Sequence, residues 1–228
     1  MDPQNRRPGV LREAVRLPTM PRVSELPKGA VEKEIADRAR YWGIPTVFYD
    51  MNFGTWDSLR PGEGIEEATE YASALARGRH EFSILTLAGP RGVGKTHLAL
   101  AVAWDSLMNG YLVYYRQASM LLEELRRGYN NQTQYEPGYN AGSYEFLMDT
   151  FMNKGLLIID DLGGEKLTDW AAEKLDMIID WRWLNRLPLM VTTNAVQEEL
   201  PPRIADRIAD VHRAKVVTIV AKSYRQDR

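Results

Sequence analysis

The chain contains 228 residues, of which 44% are hydrophobic and 26% are charged, and its formal net charge is −2 at pH 7. A chain of this length can bury one sizeable core and still carry extensions, because domains usually contain about 100 to 200 residues. No apolar run approaches the roughly 18 residues that a membrane span requires, so we expect no membrane association. The absence of cysteine excludes disulfides and thiolate metal sites and favours a cytoplasmic protein.

The N-terminal part of the chain changes character near residue 29. Residues 1–28 contain five prolines and little apolar periodicity, which predicts a flexible basic tail. No apolar segment follows the first charged residues, so a secretory signal is not expected. Apolar residues then recur at helical spacing as far as Trp42, and Gly43 ends the pattern. We therefore expect a helix within residues 29–45 that contacts the core or a partner.

The strongest motif is the glycine-rich stretch from Gly89 to Thr96, which fits the pattern G-x-x-x-x-G-K-[ST]. It follows the apolar run 84–88, which predicts a buried strand, and it precedes an apolar helix. Glycines allow consecutive backbone N–H groups to approach phosphate oxygens, and a helix N-terminus adds a partial positive charge. We expect Lys95 to reach the β- and γ-phosphates of ATP and the Thr96 hydroxyl to hold Mg²⁺. A glycine turn before an ordinary helix is the alternative.

A long polar loop is predicted in the middle of the chain. After a second predicted strand, a helix is expected from Gln117 to Arg127, and the stretch 128–140 that follows has no periodicity of either kind. Arg126, Arg127 and Tyr129 lie at the entrance of this loop. Because arginines pair with phosphates and tyrosines stack on bases, these three residues are candidates for contacting nucleic acid. A mobile surface loop is the alternative.

Two acids end a strongly apolar stretch later in the chain. Residues 156–159 are all apolar and predict a strand buried on both faces, and Asp160 and Asp161 follow directly. Ligands of open parallel sheets bind at the carboxyl ends of the strands. We therefore expect Asp160 to hold Mg²⁺ through its water shell and Asp161 to orient or deprotonate the attacking water. The alternative is that the paired acids cap the next loop.

The last third of the chain contributes two helices and two strands. A helix is predicted at 169–184, and its tryptophans are expected in the core. Its predicted stripe consists of Trp170, Lys174, Met177, Ile178, Trp181 and Leu184. A buried strand then ends in Asn194, whose amide can hydrogen-bond both the γ-phosphate and the attacking water. A helix with Arg203 and Arg207 one turn apart precedes the last strand, at 215–220.

Taken in order, these motifs resemble those of AAA+ ATPases, and more narrowly those of the DnaC/DnaI helicase loaders and the related IstB transposition ATPases. The matching segments are 92–99 for Walker A, 157–163 for Walker B, 192–194 for sensor 1, 203–207 for the arginine-finger region and 223–225 for the family's ending. The predicted ATP-binding residues are Gly89, Pro90, Arg91, Gly92, Val93, Gly94, Lys95, Thr96 and His97.

The resemblance implies an α/β P-loop fold for residues 46–228, with a parallel five-stranded sheet in the order 5-1-4-3-2 flanked by helices. It also implies a homo-oligomer in which ATP lies between neighbouring subunits. Arg207 would then be supplied in trans as the arginine finger, with Arg203 as its companion. Either arginine could instead form a surface ion pair with Asp206 or Asp210, worth about 0 to 1 kcal/mol.

The resemblance also implies partners. In DnaA and its loader relatives, a helical insertion after the second strand contacts single-stranded DNA, and by position it matches residues 121–144. The leading hypothesis is an ATP-hydrolysing DNA replication factor that engages single-stranded DNA and a replicative helicase. Two features depart from the loaders. Asp161 stands where most AAA+ enzymes have glutamate, so slow hydrolysis is expected, and the Pro-rich, cysteine-free start of the chain differs from a helicase-binding domain.

Three other functions remain open from the sequence. An IstB-like transposition helper would bind duplex DNA and a transposase. A small-molecule P-loop kinase would transfer phosphate to a metabolite, although kinases of that type usually carry an arginine-bearing lid. A nucleotide-gated binding module would have negligible turnover, as the aspartate at position 161 allows.

Overall fold

The computed structural model of the protein describes residues 31–130, 142–163, 167–194 and 199–224. The predicted tail, 1–28, and most of the predicted loop, 131–140, lie outside these ranges. The helices are α1 (Val31–Trp42), α2 (Ile65–Ala76), α3 (Lys95–Met108), α4 (Ala118–Asn130), α5 (Tyr144–Asn153), α6 (Asp169–Leu184) and α7 (Pro202–Ile208). The strands are β1 (Gly62–Glu63), β2 (Ile84–Ala88), β3 (Val113–Gln117), β4 (Leu156–Leu162), β5 (Leu189–Thr193), β6 (Ala214–Thr218) and β7 (Val220–Ala221).

A five-stranded parallel sheet forms the centre of the fold, and its strands lie in the order β3-β4-β5-β2-β6. Numbered among themselves along the chain, these strands read 5-1-4-3-2 from the opposite edge, so the predicted order is confirmed. Every residue of β5 is buried, as expected for a parallel strand covered by helices on both faces. The two short strands β1 and β7 pair separately and antiparallel. The carboxyl ends of β2, β4 and β5 therefore lie side by side.

An irregularity in β4 separates the two acids at its end. The register between β4 and β5 shifts between Ile159 and Leu162, and Asp161 has a left-handed backbone with φ of 58°. Aspartate tolerates this region better than most residues because its short polar side chain can bond locally. Asp160 is consequently buried, with 1% of its surface exposed, whereas Asp161 is exposed.

Helix α4 is longer than predicted, and Tyr129 belongs to it rather than to the loop. The buried residues Leu121, Leu125 and Gly128 continue one helical face to the end of α4. A Cβ on Gly128 would lie 2.8 Å from the backbone nitrogen of Tyr144, so glycine permits the close approach of α4 and α5. The turn-forming character of glycine concealed this packing role in the sequence.

The predicted core stripe of α6 is wrong in part. Met177, Trp181 and Leu184 are 41%, 40% and 55% exposed, and the Trp181 indole donates to Asn153 Oδ1 at 2.7 Å. The buried residues of this helix are Ala171, Leu175, Ile178, Ile179 and Arg182, so Ile178 is the one member of the predicted stripe among them. An arginine on the buried face is the reason that counting apolar residues selected the wrong one.

Arg182 is fully buried and holds together the chain segments that lead into β4 and β5. Its guanidinium donates to the carbonyl oxygens of Phe151 and Pro188, each at 2.7 Å, and also to that of Gly155. Burial lowers the pKa of Arg182 to about 9, so the side chain remains charged at neutral pH. The Phe151 and Gly155 carbonyl oxygens thereby obtain a donor in the interior, and the Pro188 carbonyl oxygen, which also accepts the Leu157 N–H at 3.2 Å, obtains a second one.

We expect Arg182→Met to lower the free energy of unfolding by about 3 to 5 kcal/mol, because methionine fills much of the volume but gives the buried Phe151 and Gly155 carbonyl oxygens no donor in place of the guanidinium. Chemical denaturation measures the change. Arg79→Met, at an exposed arginine, is the matched control and should change the free energy by less than about 0.5 kcal/mol. Similar values for the two variants would contradict the role assigned to Arg182.

Candidate functional site

The glycine-rich loop lies between β2 and the first turn of α3, and neighbouring segments of the chain pack closely against it. Gly92 and Gly94 both have positive φ, of 82° and 102°. A Cβ on Gly92 would lie 2.0 Å from the Ser223 hydroxyl oxygen, and one on Gly94 would lie 2.4 Å from the Trp56 ring. Both positions therefore require glycine, and the N-terminus of α3 points its N–H groups into the loop.

Lys95 is buried at the centre of this loop. Its ammonium donates to the carbonyl oxygens of Gly89 and Pro90, each at 2.8 Å, and to Asn194 Oδ1 at 2.6 Å. The end of β5 and the phosphate-binding loop thus meet directly, as expected from the central positions of β2 and β5 in the sheet. Neutral oxygens bind an ammonium less strongly than anionic ones do, so phosphate oxygens can replace them.

Hydroxyl groups from three elements surround the Asp160 carboxylate. The Thr192 hydroxyl donates to Oδ1 at 2.5 Å, and the Tyr115 hydroxyl donates to Oδ2 at 2.8 Å. The Thr96 hydroxyl lies 3.2 Å from Oδ1 and 3.1 Å from Oδ2. Asp160 and Thr96 were predicted from the sequence, and Thr192 was predicted only as part of the sensor 1 segment, 192–194. Tyr115, the third of the five residues of β3, was not predicted, and the signal available for it was the sheet order, in which β3 and β5 flank β4.

Asp161 belongs to the same network although its side chain faces solvent. Its backbone N–H donates to the Thr192 hydroxyl oxygen at 2.9 Å, and its Oδ1 accepts from the Asn194 amide at 2.5 Å. Asn194 therefore joins Lys95 to Asp161, and Thr192 joins Asp160 to Asp161. The predicted residues from the loop, β4 and β5 lie within one hydrogen-bonded set.

A cavity of about 1450 Å³ opens over this network. The sequence-predicted residues that line it are Arg91, Gly92, Gly94, Lys95, Thr96, His97, Asp160, Asp161 and Asn194. Its volume exceeds the roughly 300 to 1,000 Å³ of a typical small-molecule pocket, so it accommodates a nucleoside triphosphate in an open cleft. His97 helps to form one wall, because its Nε2 lies 3.0 Å from the Asn52 carbonyl oxygen and its ring lies 5.3 Å from that of Trp56.

The donor set beside Lys95 fits a magnesium ion. Mg²⁺ prefers hard oxygen ligands and is usually bound through one or two carboxylates, waters and substrate phosphates. The Thr96 hydroxyl and the Asp160 carboxylate supply two such oxygens beside the loop. The site chemistry therefore fits the predicted Mg²⁺.

Arg203 and Arg207 lie away from this cavity in the same subunit. Arg207 Nε contacts Asp180 at 2.7 Å and its guanidinium carbon lies 4.0 Å over the Trp183 ring, leaving the side chain 24% exposed. It also pairs with Asp206, which was the alternative considered from the sequence. The hydrogen bond to Asp180 raises the pKa of Arg207. Arg203 is 68% exposed, with one nitrogen 3.0 Å from Asp176.

The candidate nucleic-acid residues lie on the exposed end of α4. Arg127 Nε lies 3.1 Å from Glu123, and Arg126 lies 3.8 Å from the same carboxylate, with its guanidinium carbon 5.2 Å from the Trp170 ring. The exposed Tyr129 ring meets that of Tyr144 edge-on. These three residues form an exposed surface separate from the phosphate-binding cavity.

The sequence profile of the family described as IstB-like ATP binding protein matches residues 79–228. The chain belongs to the IstB-like ATP-binding family. Within the AAA+ class this family is related to the DnaC/DnaI helicase loaders, as the order of the motifs predicts. The matched region contains every element of the hydrogen-bonded set described above.

Similar proteins come from insertion sequences and from replication. An ATP-binding protein of insertion sequence IS5376 from Geobacillus stearothermophilus is 28% identical over 60% of this chain and 53% of its own. The replicative helicase loader DnaC of Escherichia coli strain K12 is 25% identical over 54% of this chain and 46% of its own. The chain thus spans about half the length of these relatives. A crystal structure of the DnaC helicase loader has the same fold, with a TM-score of 0.61 and 23% identity over 77% of this chain and 99% of that one.

Among the described residues of this IstB-like protein, no helix has the length and apolar character needed to cross a bilayer.

We expect Thr192→Val to lower the free energy of unfolding by about 1 to 3 kcal/mol, because the Asp160 carboxylate loses a donor and the Asp161 N–H loses its acceptor. Thr218→Val is the matched control, since Thr218 is likewise near the carboxyl end of a strand of the sheet but is exposed, and it should have little effect. Chemical denaturation of both variants measures the difference. Equal stabilities would show that the Thr192 hydroxyl does not hold the two acids.

Proposed function

We propose that this protein binds and hydrolyses ATP in the cavity over the glycine-rich loop and uses ATP to control its assembly on DNA. The observation that carries the proposal is the Asn194 side chain, which contacts Lys95 and Asp161 at once. A phosphate-binding lysine, a polar sensor and an exposed carboxylate are thereby held within hydrogen-bond reach of one another. This arrangement suits attack of water on a terminal phosphate.

Each side chain has a defined task in this proposal. Lys95 leaves the Gly89 and Pro90 carbonyl oxygens and binds the β- and γ-phosphates, which attract its charge more strongly. Asn194 Oδ1 is then released from Lys95 and can accept a hydrogen bond from the attacking water, while its amide nitrogen still holds Asp161. Asp161 accepts the proton of that water.

Thr96 and Asp160 are the residues that would hold Mg²⁺, the first through its hydroxyl oxygen and the second through the metal's water shell. Bound Mg²⁺ neutralises charge on the phosphate oxygens. The short Asp161 side chain supports slow turnover, because it reaches less far than a glutamate. Its direct bond to Asn194 keeps it in position nevertheless.

The arginine pair supports a site shared between subunits. Arg203 and Arg207 lie outside the cavity of their own subunit, so they could act only on ATP bound by another copy. Arg203 extends into solvent and can reorient at small cost, whereas Arg207 must leave Asp180 and the Trp183 ring. We propose that ATP is hydrolysed in a homo-oligomer in which this pair reaches the neighbouring cavity.

The partner we propose first is a transposase, with duplex DNA as the substrate of assembly. Family membership and the insertion-sequence relatives support this assignment. The second candidate is the loading of a replicative helicase on single-stranded DNA, which the likeness to DnaC supports. The two candidates share the same ATP chemistry and differ in the DNA and the protein that they bind.

We expect wild-type protein to hydrolyse ATP when Mg²⁺ and DNA are present, and we expect Lys95→Ala to be inactive. Arg203→Ala and Arg207→Ala should bind nucleotide normally but lose hydrolysis, by about 10³-fold or more for a true finger. Because Arg207 also joins α7 to α6, thermal unfolding of both variants serves as a control for folding.

Mixing the variants tests whether the site is shared. Lys95→Ala subunits carry intact arginines and Arg207→Ala subunits carry an intact cavity, so a mixture of the two should recover part of the activity. A mixture as inactive as its components, or unchanged hydrolysis in both arginine variants, would contradict a finger supplied in trans. Phosphate transfer to a metabolite by a DNA-independent monomer would contradict the whole proposal.

We expect the double variant Arg126→Ala/Arg127→Ala to weaken DNA binding and to reduce the slope of log affinity against log salt by about 1 to 2, as for the loss of one or two phosphate contacts. Fluorescence anisotropy at several salt concentrations measures both quantities. Arg77→Ala/Arg79→Ala, at two exposed arginines on the loop after α2, is the control and should leave the slope unchanged. An unchanged slope in the first variant would remove these arginines from the interface.

The same assay separates the two candidate functions. A preference for duplex DNA together with binding to a transposase supports the transposition helper. A preference for single-stranded DNA together with capture of a replicative helicase supports the loader and contradicts our first assignment.

A further inference from the structure

Tyr115 lies in the site without belonging to any motif that identified it. It is the third residue of β3, it is buried, and its hydroxyl donates to Asp160 Oδ2 at 2.8 Å. The register of the parallel pair sets Tyr115 beside Ile158 and Gln117 beside Asp160. The tyrosine is therefore two positions short of the acid along the strand, and the length of its ring carries the hydroxyl to the carboxylate.

The three hydroxyls on Asp160 are not equivalent. Thr192 serves Oδ1, whereas the single Thr96 proton is shared between Oδ1 and Oδ2 at nearly equal distances. Of these three donors, Tyr115 is thus the one that bonds Oδ2 alone. If the Thr96 hydroxyl bound a cation, Tyr115 and Thr192 would still hold one carboxylate oxygen each.

The Tyr115 hydroxyl is the donor of its hydrogen bond to Asp160. Its oxygen lies 2.8 Å from Asp160 Oδ2, and a carboxylate oxygen accepts the phenol proton. A protonated phenol next to a carboxylate has one orientation that both groups favour. The carboxylate plane is consequently fixed from the β3 side by a rigid ring with few rotamers.

We propose that Tyr115 is a positioning residue for the magnesium–nucleotide site. Its hydroxyl occupies one acceptor position of Asp160 Oδ2 and orients the carboxylate, whose remaining acceptor positions would be available to the water shell of a bound Mg²⁺. The role rests on the proposed ATP-binding function, and it adds β3 to the elements that build the site. Loss of a residue that orients a metal ligand typically lowers metal affinity by about 10- to 100-fold.

A purely structural role makes a different prediction. If Tyr115 only satisfied a buried carboxylate, its loss would loosen the cavity and weaken nucleotide binding equally with and without metal. A positioning role instead changes only the part of the affinity that depends on Mg²⁺. The ratio of nucleotide dissociation constants measured in EDTA and in Mg²⁺ separates the two roles.

The test compares Tyr115→Phe with Tyr114→Phe in the full chain, using a fluorescent ATP analogue. Both changes remove one hydroxyl from a largely buried ring of the same strand, but Tyr114 projects from the opposite face and contacts Trp42 edge-on. We expect Tyr115→Phe to reduce the Mg²⁺-dependent gain in affinity by about tenfold and to leave the affinity in EDTA unchanged. Tyr114→Phe should behave like wild type in both conditions.

A second measurement tests the same role without relying on the stability of Tyr115→Phe. In wild-type protein carrying 3-fluorotyrosine at position 115, the fluorine resonance should move when Mg²⁺ is added to the nucleotide complex and should not move when Mg²⁺ is added alone. An unchanged Mg²⁺-dependent gain in Tyr115→Phe, or an equal loss with and without metal, overturns the assignment. If wild-type protein gains no affinity from Mg²⁺, the proposed ATPase function fails instead.

Discussion

The site depends on one buried carboxylate and the hydroxyls that surround it. Removing the Asp160 charge from water costs several kcal/mol unless hydrogen bonds compensate, so the donors around it are a condition for its burial. They come from α3, β3 and β5, which are far apart in the sequence and meet only because β4 lies between β3 and β5. The burial of Asp160 and its contact with the phosphate-binding loop therefore both depend on the order of the strands in the sheet.

The sequence predicted those parts of the site that local chemistry determines. The glycine-rich loop requires positive φ and close backbone approach at fixed spacing, so its residues are recognisable without any tertiary information. Asp160, Asp161 and Asn194 were selected as candidates because each directly follows or ends an apolar strand, and parallel strands end at a common edge. The strand order came from the family resemblance, since apolar strands alone do not specify their neighbours.

The parts that the sequence analysis missed depend on packing between distant elements. Tyr115 resembles an ordinary strand residue, and only the register of β3 against β4 gives it a partner. Thr192 lies in the predicted sensor 1 segment, but its contacts with Asp160 and Asp161 follow only from the packing of β5 against β4. The exposed stripe of α6 was misassigned because the buried face of that helix contains Arg182, which serves backbone carbonyl oxygens rather than an apolar neighbour. Ion pairs of Arg207 with Asp180 likewise join two helices whose contact no local pattern reveals.

The left-handed backbone at Asp161 explains how two adjacent acids come to differ. A regular strand would alternate the faces of its side chains and keep both acids in the ladder, whereas the shift between Ile159 and Leu162 turns Asp161 outward. An αL residue other than glycine costs of order 1 kcal/mol or more, and bonds to Thr192 and Asn194 offset that cost. Thr192 therefore donates its proton to the buried Asp160 carboxylate and accepts the backbone N–H of the exposed Asp161, which makes the spacing between the two carboxylates depend on one side chain of β5.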